Sequence, residues 1–435
     1  MENFVDEATP ADSALVTAAK PPKKRNWLEV LGPGLITGAA DDDPSGIGTY
    51  SQVGAQYGYG MGWTMVLTYP LMVAIQEISA RIGSTTGHGI ATNLRRHYPR
   101  WLLDVLVLSL LVANVINLGA DIAAMGDAAK LLVGGKTQVW IVGIAIVSVV
   151  AEIFLSYARY ASVLKWLTLS LFAYVAAVIM AHADWGAALF GAFVPTISFG
   201  TAAMTALVAV LGTTISPYLF FWQSSQEVEE LGRKHAKPLC IAPRAAGPEL
   251  RRIRVDTLVG MAASNVVALF IVWATAATLH KHGITNITTS VQAAQALTPF
   301  AGHFATIIFA AGIIGTGLLA LPVLAGSASY AVCETFRWNS GLDRKPRQAA
   351  AFYGVIVGAT VLGVALAFTP IDPMKALYYS AVVNGVLAAP LMAAMMVIGS
   401  NPRIMGRLTL NLGLKIFGWA GTAVMAAAAV GLFLT

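Results

Sequence analysis

The sequence predicts an all-α protein that crosses a membrane eleven times, and three observations carry that prediction. First, 57% of the 435 residues are hydrophobic and only 11% are charged, where soluble domains carry about 25% charged residues. The mean hydropathy of +0.68 excludes an ordinary soluble globular protein. Second, the apolar residues come in runs such as 349–368, which holds no charge over about the 20 residues needed to cross a hydrocarbon core. Third, the basic residues sit between such runs and fall largely on one side of the implied membrane.

Apolar stretches between polar breaks place the spans at 28–57, 62–82, 101–127, 137–156, 160–182, 201–229, 256–280, 303–333, 349–368, 373–399 and 412–434. Residues 1–27 are polar, end near Lys23, Lys24 and Arg25, and read as a cytoplasmic tail without the apolar core of a cleaved secretory signal. The inner side then holds Arg81, Arg95, Arg96 and Arg100 around the second and third spans, and Arg159 and Lys165 around the fourth and fifth. It also holds Arg233 to Arg254 after the sixth, Arg337 to Arg347 after the eighth, and Arg403, Arg407 and Lys415 after the tenth. In all, 24 of the 28 Lys and Arg residues lie inside, and only Lys130, Lys136, Lys281 and Lys375 lie outside. This bias places the N-terminus in the cytoplasm and, with an odd number of spans, the C-terminus outside. The net charge of +6 therefore reflects topology in a lipid bilayer rather than a nucleic-acid partner. Cys240 and Cys333 form neither a disulfide framework nor a metal-ligand spacing.

Two spans are interrupted. In the first, Gly38-Ala-Ala-Asp-Asp-Asp-Pro-Ser-Gly-Ile-Gly48 sets three carboxylates inside an apolar segment. An ionised Asp near a helix centre costs about 2.5–3.5 kcal/mol on insertion scales, so such residues face cavities and mark ion or proton pathways. Pro44 disfavours helical geometry at Asp43, and Gly46 and Gly48 tolerate an unwound backbone. Free carbonyls beside a carboxylate are the ligands a hard cation takes. The sixth span repeats the design in Gly212-Thr-Thr-Ile-Ser-Pro-Tyr218. Each break lies in the first helix of a five-helix half, and an odd half reverses the starting side of the next. Paired broken helices in inverted halves point to a midplane transport site, whereas a lone proline kink would merely bend a packed helix.

These residues carry a family resemblance. Asp43-Pro-Ser-Gly46 resembles the D-P-G-N motif of the NRAMP divalent-metal transporters. Leu31-Gly-Pro-Gly34, Gln76-Glu-Ile-Ser-Ala-Arg-Ile-Gly83, Thr86-Gly87 and Ala120-Asp-Ile-Ala123 resemble its first three spans, and the sixth resembles the family's G-A-T-V-M-P-H-N stretch. The resemblance implies a LeuT-like fold of eleven helices, a 5+5 inverted repeat with helices 1 and 6 broken. On that expectation the chain divides into the tail 1–27, a first repeat 28–182, a second repeat 183–399 with the basic loop 232–254, and the eleventh helix in 400–435. The resemblance further implies a bacterial inner (plasma) membrane location.

The departures from the family pattern bear on chemistry. Gly46 stands where the family has a coordinating Asn, and Ser216 where it has a coordinating Met. Thr213 matches the residue whose backbone carbonyl faces the ion. Tyr218 replaces a His linked to proton movement, Leu219 replaces the following Asn, and Ala124 stands where a second acid accompanies the matched Asp121. Asp43 is the charged match that remains. A thioether favours late transition metals, so its loss leaves a harder and roomier site, suited to Mg²⁺ that keeps part of its water. The Asp-Asp-Asp-Pro-Ser-Gly run resembles the NRAMP-related magnesium transporters, and Mn²⁺ has similar ligand taste. The expected ion contacts are thus Asp43, Gly46, Thr213 and Ser216. Gln223 lies about two turns beyond Ser216, in reach of a metal-bound water. For Asp42 both cavity lining and contact with a neighbouring helix stay open, as they do for the Asn384 amide.

The reading is a secondary transporter of Mg²⁺ or Mn²⁺ that binds no cofactor, is not an enzyme and moves no proton with its cargo. Its alternatives are a proton-coupled Mn²⁺/Fe²⁺ carrier of the ordinary NRAMP type and a non-transporting membrane scaffold. Clustered intramembrane aspartates also fit an intramembrane protease, but neither H-E-x-x-H nor G-x-G-D occurs. Glu77 and Arg81 are spaced to pair on one helix face. Glu227, Glu229 and Glu230 read as a solvated helix end, and loop 232–254 reads as a solvated linker.

Overall fold

The computed structural model describes residues 32–154, 169–196 and 200–435. The first span is two helices, α1 (Pro33–Asp41) and α2 (Pro44–Tyr57). Next come α3 (Trp63–Thr86), which stops on Gly87 at φ 69°, the short amphipathic α4 (Ile90–His97), α5 (Arg100–Val133) and α6 (Thr137–Phe154). The expected tail 1–27 and much of the fifth span fall outside the described residues. What is described of that span is a 3₁₀ turn, Leu169–Phe172, and α7 (Ala173–Met180). A short connecting helix, α8 (Trp185–Phe193), leads to the second broken span, α9 (Thr201–Thr214) and α10 (Pro217–Arg233). Then follow α11 (Ala246–Thr278), α12 (Ala305–Phe336), α13 (Ala350–Ala367), α14 (Pro373–Ser400) and α15 (Leu412–Leu434).

Eight helical segments among the described residues are long and apolar enough to cross a membrane. They are the expected spans 3, 4 and 6 to 11. The first expected span is not in that set: it is broken like the sixth, but carries three consecutive carboxylates, Asp41 to Asp43, at its break where the sixth carries none. The second, α3, has the length but buries Gln76, Glu77 and Arg81 in its C-terminal half. The α9–α10 span is the best enclosed, with 89% of its most apolar stretch buried against 22% for α6. The broken helices therefore form the centre, and α6, α13 and α15 turn more of their surface outwards.

Around that centre α11 packs on α1, α2 and α3, while α14 packs on α9, α5 and α15, and α5 also packs on α12 and α13. Glycines permit the closest approaches. A Cβ on Gly38 would lie 2.3 Å from the Gly260 carbonyl oxygen, and one on Gly212 would lie 2.1 Å from that of Ala381. Small residues let transmembrane backbones meet and gain dispersion contact where lipid supplies no hydrophobic drive.

The structure corrects two expectations at one end of the bundle. Helix α11 begins at Ala246, inside the expected linker 232–254, because its first turns have buried partners. Arg252 pairs with Glu227 and contacts Glu249 at 2.8 Å and Asp256 at 3.6 Å. Glu227 is thus a buried ion-pair member rather than part of a solvated helix end. Glu77 takes the expected contact from Arg81, at 2.6 Å, and a second from Arg254, at 3.2 Å.

Candidate functional site

The two breaks have the same local construction. Asp43 and Ser216 are both extended N-cap residues, at φ −67°, ψ 169° and φ −80°, ψ 131°, and each is followed by a proline at the first helical position. Proline is tolerated there because its missing N–H would have no intrahelical partner. The breaks therefore follow from sequence and leave the ends of α1 and α9 beside the starts of α2 and α10.

Asp43 is buried at 1% exposure and holds four donors. One carboxylate oxygen accepts from the Gly46 amide (2.8 Å) and the Ser45 hydroxyl (2.7 Å). The other accepts from the Asn117 amide (3.0 Å) on α5 and the Tyr218 hydroxyl (3.1 Å) on α10. Such saturation keeps a carboxylate tolerable inside a bundle. The Tyr218 hydroxyl also lies 3.2 Å from the Ala40 carbonyl, the alternative acceptor for its one proton. Tyr218 thus ties α10 to the end of α1.

Gly46 faces the second break. A Cβ there would meet the Thr213 hydroxyl and the Tyr50 ring at 3.3 Å each and the Asp41 carbonyl at 3.4 Å, so a side chain larger than glycine's would crowd the two breaks. Ser216 is turned back on its own break, its hydroxyl 2.8 Å from both the Gly212 and the Thr213 carbonyls, two acceptors for its one proton. The Thr213 carbonyl therefore keeps at least one lone pair beyond that contact.

The remaining expected residues part company. Asp42 and Asp41 both accept from the Ser264 hydroxyl on α11, at 3.0 and 2.6 Å; Asp42 takes the helix-contact reading. Gln223 accepts from the Thr37 hydroxyl on α1 and links the two half-helices below the breaks. Its amide nitrogen is buried without a hydrogen-bond partner. Asp121 is fully buried close to Asp43, and neither of its carboxylate oxygens completes a hydrogen bond of normal geometry. The Asn384 amide is buried without a hydrogen-bond partner, next to the tight Gly212–Gly385 crossing.

Sequence reasoning missed Ser45, Asn117 and Ser264. The signal for Asn117 was present, a polar residue one helical turn before Asp121 on an apolar span. No group of three or more His, Cys, Asp or Glu side chains among the described residues is arranged to hold a metal. What the breaks assemble is one saturated carboxylate, Asp43, with the hydroxyls and amides that hold it and with Asp121 close by, a set that can exchange hydrogen bonds for a hard cation one at a time.

Access differs between the two ends of the bundle. A cavity of about 540 Å³ opens beside Gly48, Gln52, Thr205, Asn286 and Tyr378, where α2 ends and α9 and α14 begin. A separate cavity of about 140 Å³ lies between α1 and α10, lined by Ile36, Trp222, Glu229 and Glu230 among others.

Comparison with known proteins agrees with this architecture. A manganese transporter of Eremococcus coleocola superposes with a TM-score of 0.72 at 15% identity, covering 95% of this chain and 88% of that one. A Na⁺-coupled sialic acid symporter superposes with a TM-score of 0.56 at 13% identity, covering 93% and 90%. The fold is LeuT-like. In sequence the chain is 26% identical over 411 residues to the divalent metal cation transporter MntH of Klebsiella pneumoniae (strain 342), covering 92% of each. It is 24% identical over 431 residues to MntH of Deinococcus radiodurans, covering 96% of this chain and 92% of that relative. Residues 34–435 match the family described as natural resistance-associated macrophage protein-like. With nearly its whole length matched, the chain belongs to the Nramp family.

Proposed function

We propose that this protein is a secondary transporter of divalent metal cations, favouring Mg²⁺ and Mn²⁺, that works by alternating access at the crossing of its two helix breaks. It is a carrier and not an enzyme. The observation that carries the reading is Asp43, a buried carboxylate at one break that is held by Ser45, Gly46 and Asn117 and, from the other, by the Tyr218 hydroxyl. Two relatives along the full chain are named as divalent metal cation transporters. Asp43, Thr213 and Ser216 offer oxygen, and Gly46 offers room. This donor set suits a hard, partly hydrated ion.

A cation entering from the larger cavity passes Gly48 and reaches Asp43 by displacing Tyr218 or Asn117 from its carboxylate. With the N-terminus cytoplasmic, that cavity faces outwards and the structure is closed on its inner side. Uptake of Mn²⁺ and Mg²⁺ into proteoliposomes, against protein-free liposomes, tests the reading. Rates at the liposome background for both ions would leave the scaffold alternative standing.

The proposed driving force is the ion's own gradient and the membrane potential, worth about 2.3 kcal/mol per charge per 100 mV. Tyr218 and Ala124 do not titrate near neutrality as a His and a carboxylic acid would. A proton-coupled reading is favoured by one observation, the buried Asp121 beside Asp43 with no hydrogen bond of normal geometry.

A further inference from the structure

Helix α1 has no side chain of its own to cap its first turn. Its cap comes from α11, where the Asp256 carboxylate accepts from the amides of Gly32 (2.9 Å), Gly34 (2.8 Å) and Leu35 (3.0 Å). A carboxylate there is matched to the unpaired N–H groups and the positive end of the helix dipole. Asp256 is itself fully buried. Arg252, one turn earlier, lies 3.6 Å from it and bridges to Glu227 on α10. Ser264, two turns later, holds Asp41 and Asp42 at the other end of α1. Arg252, Asp256, Gly260 and Ser264 recur every fourth residue, so one stripe of α11 runs along the whole of α1.

The rest of that seam is smooth. Gly34 and Gly38 meet Gly260 backbone to backbone, with no side chains interlocked between them. The polar contacts at the two ends of the stripe, added to this close backbone packing, fix where α1 lies along α11.

We propose that Asp256 is a positioning residue for transport: by capping α1 across the helix interface it holds this half-helix in the inner-closed arrangement, and Arg252 couples that hold to α10. The proposal rests on the transporter reading for its meaning, but its test does not depend on uptake. When the cap is released, the three amides lie at the end of α1 remote from the breaks, where cytoplasmic water can take them up. The glycine seam then lets α1 move without unthreading side chains.

The test uses the full-length protein in inside-out vesicles, with Cys240→Ser and Cys333→Ala as background. Ile36→Cys reports the small inner cavity and Asn286→Cys the larger outer one, each read as the rate of modification by a maleimide. Adding Asp256→Asn or Asp256→Ala is expected to speed labelling at position 36 by roughly five-fold or more, the size of a lost helix cap. Labelling at position 286 is expected to stay level or slow. An unchanged rate at 36 in a variant that elutes as wild type overturns the proposal, as does an equal rise at both positions, which is general loosening. If Asp256→Ala does not fold, Asp256→Asn decides; if neither folds, Arg252→Gln is read in the same way. Absent uptake in wild type with faster labelling at 36 would remove the transporter reading and leave the positioning role. Normal uptake with unchanged labelling would do the reverse.

Discussion

At the scale of single residues, the site turns on competition for one carboxylate. Tyr218 and Asn117 occupy the Asp43 oxygen that an ion approaching from Gly48 would take. Hydrogen bonds to charged groups are worth about 1.5–3 kcal/mol, so removing one should ease ion binding and slow release. Tyr218→Phe is expected to lower KM for Mn²⁺ by about threefold or more and to lower kcat with it, measured as initial uptake rates. A large rise in KM would instead make the Tyr218 hydroxyl an ion ligand. Ser216→Met removes the hydroxyl contacts to Gly212 and Thr213 and supplies a soft ligand. It is expected to shift competition from Mg²⁺ towards Cd²⁺ by about tenfold, and an unchanged ratio would place residue 216 away from the ion. Asp43 was legible in the sequence, because a carboxylate and a proline inside an apolar run are conspicuous, whereas Gly46 and Ser216 were singled out by the family resemblance. Asn117, Ser45 and Ser264 were less legible. Short polar side chains are common in spans, and which of them meet depends on helix rotation that one sequence does not state.

At the scale of elements, breaks and packing seams decide where the site lies. Both breaks were readable from Pro44 and Pro217. The lower boundary of α11 was not, because the prolines and charges of 243–254 resemble a loop until Glu227 of α10 is placed opposite Arg252. Gln223 shows the same limit. Counting turns from Ser216 put it in reach of a metal-bound water but could not name Thr37 on α1 as the partner of its carbonyl oxygen. The seam between α1 and α11 has no room for a methyl group, with Gly38 facing the Gly260 carbonyl at 2.3 Å. Gly38→Ala is expected to destabilise by about 1–3 kcal/mol, the usual cost of overpacking, read as a lower melting temperature. Gly143→Ala on α6, where nothing lies within 4 Å of the added Cβ, is the control. It should melt at the wild-type temperature or slightly above, since alanine is the better helix former. Equal melting of the two variants would mean the seam is looser than its geometry indicates.

At the scale of the whole molecule, the LeuT-like fold has a cavity of about 540 Å³ where α2 ends and one of about 140 Å³ between α1 and α10. Coupling is tested by recording lumenal pH with a trapped dye while Mg²⁺ or Mn²⁺ enters proteoliposomes. No acidification beyond the protein-free control is expected; acidification that tracks the metal would make Asp121 the first residue to replace. The central claim is that a single buried carboxylate at the helix breaks receives the ion. It is tested most directly by Mn²⁺ uptake into proteoliposomes containing Asp43→Asn, at a fixed membrane potential and beside wild type. Asparagine preserves the shape of the side chain but not its charge. The account predicts uptake at the protein-free background from a variant that elutes and melts like wild type, and wild-type uptake by that variant would contradict it.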